Sequence, residues 1–166
     1  MARRLDPQRV VDYLPRLYHA ARAWTASRED AEDLVQETCA RVLARPRLLL
    51  GEDELGYLMR AMRNTLVSQR RAADRRPRPV LLGEDDEPAT SSAAHHGDPA
   101  DAIESAEVYG AISELPDEFR DALVAIDVAG LSYGEAARVL DVPEGTVTSR
   151  LFRARDRLAR RLGRGQ

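Results

Sequence analysis

The sequence predicts an all-α fold of two small helical domains, residues 1–76 and 101–166, joined by a flexible linker at 77–100. Three observations carry this. Apolar residues recur at helical spacing through the first and last parts of the chain. Between them, "RPRPVLLGEDDEPATSSAAHHGDPA" has four prolines, two glycines and no sustained period. Near the end, a short capped helix, a tight turn and a basic helix follow one another.

In the first part, Val10, Leu14, Leu17, Ala21 and Trp24 form one apolar stripe. "TASRED" breaks it, and Ser27 with Asp30 three residues on can cap a second helix. That helix turns Ala31, Leu34, Val35, Thr38 and Val42 inward and ends near Pro46. "RPRLLLGEDE" reads as a loop. A third helix, about Asp53 to Asp74, has Leu55, Leu58, Met59, Met62, Leu66 and Val67 as its apolar side. In the last part a helix is expected over Asp101 to Ser113, and Pro116 starts another that ends at Gly130. Ser132 and Glu135 make a capping box, Asp141 and Val142 a short turn, and a basic helix runs to Leu162. The pattern is a helix-turn-helix.

Charge is sorted by segment. Net charge is −3, yet Arg60–Arg78 holds seven arginines against one acid, and Glu144–Gln166 seven against two. Pro79–Asp121 holds twelve acids against one arginine, and Arg28–Glu37 five against one. Two basic patches predict two anion-binding surfaces. All 25 basic residues are arginine, so each basic contact has a planar fork of donors.

Faces refine the basic helix. At 100° per residue, Val147, Leu151, Ala154, Leu158 and Leu162 share one inward sector. Ser149, Phe152, Arg153, Asp156 and Arg160 lie opposite, with Thr146, Thr148 and Arg150 on the flanks. Recognition helices present their N-terminal residues to base edges; arginine can fork onto a guanine, and an apolar ring can touch a thymine methyl. Helix-start amides near Gly145 and Thr146 suit a phosphate. Arg160, Arg161 and Arg164 read as phosphate or protein contacts. On the third helix, Arg60, Asn64 and Ser68 line one face, while Arg63, Arg70, Arg71, Arg75 and Arg76 supply charge for phosphates. On the acidic second helix, Glu32, Asp33, Gln36 and Glu37 point outward, a surface that repels nucleic acid and suits a protein.

Other classes find little support. No apolar run approaches the ~20 residues of a membrane span, and "MARRLDPQRVVDYL" lacks the apolar core of a secretory signal. A cytoplasmic location without membrane insertion is expected. Cys39 has no disulfide partner and is read as a core residue; His95 and His96 are read as linker polarity. No metal, cofactor or enzyme activity is expected, since no nucleophile–base set, metal cluster or phosphate loop stands out.

These residues carry a resemblance to bacterial extracytoplasmic-function (group IV) RNA polymerase sigma factors. "DAEDLVQET" and "YLMRAMRNTLVSQRR" resemble that family's region two, and "LPDEFRDALVAIDVAGLSYGEAARVLDVPEGTVTSRLFRARDRL" resembles its region four. The resemblance implies a factor that binds core RNA polymerase, directs it to −10 and −35 promoter elements and promotes melting. Glu32, Asp33, Gln36 and Glu37 would meet the β′ clamp helices, and the C-terminal domain the β flap. Arg60, Arg63, Asn64, Ser68 and Arg71, with the Arg47–Glu54 loop, would serve the −10 element. Thr146, Thr148, Ser149, Arg150, Phe152 and Arg153 would serve the −35 element. An anti-sigma factor is a further partner that the resemblance allows. Thr148, Tyr57 and Cys39 stand where the family often has a basic residue, tryptophan and phenylalanine. The rival readings are a sigma-like mimic that binds an anti-sigma factor without DNA, and a stand-alone helix-turn-helix regulator. The acidic segment is also expected to fold back over the basic faces and suppress DNA binding.

Overall fold

The computed structural model describes residues 2–50, 53–76 and 99–163. The expected linker lies almost wholly outside these residues, as do His95, His96, Arg164 and part of the Arg47–Glu54 loop. The N-terminal bundle consists of α1 (Pro7–Trp24), α2 (Arg28–Ala44) and α3 (Glu54–Arg75). The C-terminal bundle consists of α4 (Pro99–Ser113), α5 (Asp117–Leu123), α6 (Tyr133–Leu140) and α7 (Glu144–Gly163). A π-helical stretch, Val124–Val128, continues α5.

Local chemistry sets the helix ends. Asp6 accepts from the Gln8 amide at 2.9 Å and Pro7 sits at the first turn, so α1 starts earlier than its apolar stripe suggested. Ser27 caps α2 through the Asp30 amide at 3.1 Å, as expected. Asp53 stands at the N-cap of α3 without a side-chain capping bond. Gly130, with φ of 76°, turns the chain toward α6. Ser132 and Glu135 cap α6 reciprocally. Asp141 ends α6 in the left-handed region at φ 55°, a conformation that aspartate tolerates better than most residues with a Cβ.

The segment read as a loop differs from expectation. Leu48–Leu50 forms a short strand β2 that pairs antiparallel with β1 (Ala2–Arg4), Arg3 opposite Leu49. The partner lies at the start of the chain, before two intervening helices, so no local pattern announced the pairing. It ties the α2–α3 connection to the start of the chain and buries Leu49.

The buried apolar cluster is continuous across the two bundles and follows the helical periods. Leu17, Leu34, Leu58, Met59 and Met62 are fully buried between α1, α2 and α3. Val124, Val147 and Leu151 are fully buried in the second bundle. Burial of such side chains stabilises by about 1.5–3 kcal/mol each. Leu14, Val67, Ile126, Leu158 and Leu162, all expected to face inward, are only half-buried. Cys39 is half-buried against the core, and burial pushes its thiol pKa up. Thr38 is completely buried and returns its hydroxyl to the Leu34 carbonyl at 2.7 Å.

The bundles also pack on each other. The α1 helix meets α4 and the π-helical stretch, and α3 meets α6. Trp24, read from its spacing as a core residue of the first bundle, is buried, and its indole Nε1 donates to Asp121 of α5 at 3.0 Å.

Candidate nucleic-acid interface

The helix-turn-helix is built by α6 and α7. Val147, Leu151 and Ala154 anchor α7 in the core. That rotation leaves Thr148, Ser149, Phe152 and Arg153 exposed on the same end of the helix. Phe152 is 73% exposed, the largest value among the exposed large apolar residues. A single exposed ring is ordinary on a protein surface; this one stands beside the exposed Ser149 and Arg153, where it is accessible to a partner.

The flanking polar groups are held by the helix itself. Thr148 Oγ1 donates to the Glu144 carbonyl at 3.0 Å, and Ser149 Oγ to the Thr146 carbonyl at 3.1 Å. The hydroxyl oxygens keep acceptor capacity for an incoming donor. The Thr146 amide is directed to the Pro143 carbonyl at 3.0 Å, so it is committed inside the turn rather than presented to a phosphate.

The arginine excess of α7 resolves into pairs. Arg150 meets Glu118 at 3.2 Å, Arg160 meets Asp156 at 3.1 Å, and Arg161 forks onto Glu114. Arg155 forks onto Asp127, which holds its guanidinium more firmly protonated than usual. The Arg157 guanidinium lies over the Phe119 ring at 4.9 Å. Glu114 and Glu118 come from the acidic stretch, so part of the charge segregation closes within this bundle. Arg153 takes no part in an ion pair among the described residues, and it points outward beside Phe152.

The second basic region is α3. Asn64, Ser68 and Arg71 are exposed, while Arg60 and Arg63 are half-buried where the bundles meet. Arg63 donates through Nε and Nη2 to Asp121 Oδ2 at 3.2 and 3.1 Å. Arg60 lines a small recess with Asp53, Tyr57, Glu135 and Arg138. Burial first, and then the Glu135 carboxylate, hold the Asp53 carboxyl above its usual range. Arg70 spans back to the Trp24 carbonyl at 3.1 Å, closing the end of α1 rather than reaching outward.

The acidic face of α2 is as expected for Glu32, Asp33 and Gln36, all exposed. Glu37 is half-buried and already accepts from Arg41 and Gln69. The cross-bundle partners of Trp24 and Arg63 escaped the sequence reading, because their common acid lies at the edge of a stretch read only as acidic.

The comparisons with known proteins agree with this architecture. Residues 10–76 match the family model for Sigma-70 region 2, and residues 105–158 match Sigma-70 region 4. The ECF RNA polymerase sigma factor SigM of Bacillus subtilis is 31% identical over 156 residues, covering 92% of each chain. SigE of Mycolicibacterium smegmatis is 34% identical; the match covers 90% of this chain and 58% of that longer protein. Among solved structures, the sigma factor RpoE of Bartonella quintana, in complex with the anti-sigma factor NepR, has a TM-score of 0.70 at 26% identity. That match covers 94% of this chain and 95% of RpoE. CnrH, solved with the cytosolic domain of CnrY, has a TM-score of 0.68 at 23% identity and so shares the fold.

A helical region 2 followed by a helix-turn-helix region 4 defines a sigma factor. The chain belongs to the ECF family of RNA polymerase sigma factors. Among the described residues, no helix is long and apolar enough to cross a membrane.

Proposed function

We propose that this chain binds core RNA polymerase, directs it to promoters through −10 and −35 elements, and helps to open the duplex. Polymerase would carry the chemistry. Phe152 carries the reading: an exposed ring beside Ser149 and Arg153, on a helix anchored from its opposite side by the buried Val147, Leu151 and Ala154. In a major groove such a ring covers a thymine methyl, and an arginine–guanine fork adds roughly 1–3 kcal/mol of discrimination.

The −35 element would be read by Thr148, Ser149, Phe152 and Arg153. Thr146 and Arg150 have secondary roles there, given their internal bonds. Asn64, Ser68 and Arg71, with Arg60 and Arg63 once uncovered, would hold the −10 strand. Extruded bases cost a few kcal/mol each, so capture by such groups is what makes opening favourable. Glu32, Asp33 and Gln36 would dock the β′ clamp helices, with Glu37 at the margin, and the C-terminal bundle would reach the β flap. Residues 1–76 and 101–166 would then act as two weak binders tethered through one polymerase, which raises the effective concentration of the second. The likeness to a sigma factor solved with an anti-sigma factor supports a protein inhibitor as a further partner.

The test is co-elution of the chain with purified core polymerase, followed by transcription of genomic DNA fragments. New transcripts absent from core alone are expected. DNA binding without polymerase binding would favour a stand-alone regulator. Binding to neither would favour a mimic.

A further inference from the structure

We infer that β1 and the side chains of Arg9, Tyr13 and Glu54 position the Arg47–Glu54 loop, so that base preference in the −10 element depends on residues outside the reading surface. The inference rests on the proposed role of that loop at the −10 element.

The loop is gripped at both ends. At one end β1 pairs antiparallel with β2, Ala2 opposite Leu50 and Arg4 opposite Leu48. A two-stranded ribbon this short does not persist in water on its own. Apolar side chains pin it here: Leu49 of β2 is 5% exposed, Leu5 directly after β1 is 3% exposed, and both belong to the buried cluster. At the other end, Glu54 opens α3 with its side chain only 5% exposed. Its Oε2 pairs with Arg9 Nε at 2.9 Å and accepts from the Tyr13 hydroxyl at 3.3 Å. Arg9 and Tyr13 lie one turn apart on α1, so both reach the same point. Residues 2–13 therefore hold both ends of the loop.

Stability alone gives little reason for this arrangement. Desolvation offsets much of what a buried carboxylate gains from its partner, and an apolar residue of similar shape would serve the fold as well. What one oxygen with two donors does fix is the register of the first turn of α3 against α1. A reading loop keeps its productive geometry through such supporting bonds. Loosening them costs discrimination between bases, while contacts to the charged backbone, which carry no sequence information, survive.

The experiment selects DNA from a random duplex library with core polymerase and full chains: native, Arg9→Ala, Arg9→Lys, Tyr13→Phe, and one lacking residues 2–4. In Arg9→Ala and the shortened chain, base preference within the −10 block is expected to fall roughly tenfold, the discrimination one mismatched pair ordinarily carries. Arg9→Lys keeps a donor for Glu54 and should recover most of it. The upstream block should stay as sharp as in the native chain, whereas a general loss of stability would weaken both blocks. Hydrogen exchange of the free chains is the second readout. The Leu48–Leu50 amides should exchange faster in Arg9→Ala and the shortened chain, and at the native rate in Arg9→Lys. Tyr13→Phe removes only a hydroxyl and should show a smaller change of the same kind, which keeps the test open should Arg9→Ala not fold. Native −10 preference in the variants, with or without faster exchange, or equal weakening of both blocks, overturns the proposal. If the native chain itself selects no −10 block, the sigma-factor reading falls, and the exchange rates alone decide whether the loop is clamped.

Discussion

Glu118 of α5 holds the Arg150 guanidinium of α7 at 3.2 Å, one turn before the outward-facing Arg153. The two arginines therefore have separate tasks despite their proximity. Arg150→Ala is expected to cost up to about 1 kcal/mol of stability, the usual scale of a partly exposed bridge, and to weaken DNA binding only mildly. Arg153→Ala should leave the melting midpoint unchanged and weaken −35 binding by roughly 1–3 kcal/mol. Melting and anisotropy titrations on the two variants separate these effects. Undiminished affinity in Arg153→Ala would move the reading surface elsewhere on α7.

The Ser132 amide donates to Glu135 Oε2 at 2.7 Å, and the Glu135 amide to Ser132 Oγ at 3.2 Å. Ser132→Ala is expected to cost about 1 kcal/mol and to lower the midpoint by roughly 2–4 °C. The bond from the Ser132 amide, and then its hydroxyl, hold the Glu135 carboxyl below its usual range. A carboxyl depressed by folding stabilises above its unfolded pKa and loses that contribution as pH falls through its folded value. Acid should therefore shrink the difference between Ser132→Ala and the native chain. A difference that grows on acidification, in calorimetry across the acid range, would count against the capping box as its source.

Cys39 lies half-buried against the α1–α3 core, and desolvation pushes its thiol pKa up. The protonated thiol is a poor nucleophile, so alkylation of the native chain at neutral pH should be much slower than in denaturant. Equal rates would contradict the placement of Cys39 against the core.

The sequence was most informative where structure is local. The periods that selected Leu34, Met59, Val147 and Leu151 are consequences of the helix itself, and all four are buried. The Ser132–Glu135 box is likewise a four-residue signature. The early start of α1 was also legible, because Asp6–Pro7 is a helix-start pair that the apolar stripe overshadowed. What stayed hidden depends on separation along the chain. Arg3 opposite Leu49, Arg155 on Asp127 and Arg63 on Asp121 join residues whose neighbours give no hint of each other. Counting charge by segment suggested free basic patches. Pairing shows that several arginines of α7 already have acids, which makes Phe152 and Arg153 the sharper markers of the site.

The most direct test of the central claim is selection of DNA by the assembled enzyme. Core polymerase would be incubated with this chain and a duplex library of random sequence, and the retained fragments sequenced. The account predicts two short blocks at a fixed separation, enriched only when the chain is present, with the upstream block lost in the Phe152→Ala, Arg153→Ala double variant. The same fragments with and without the chain, or an upstream block that survives the double variant, would contradict it.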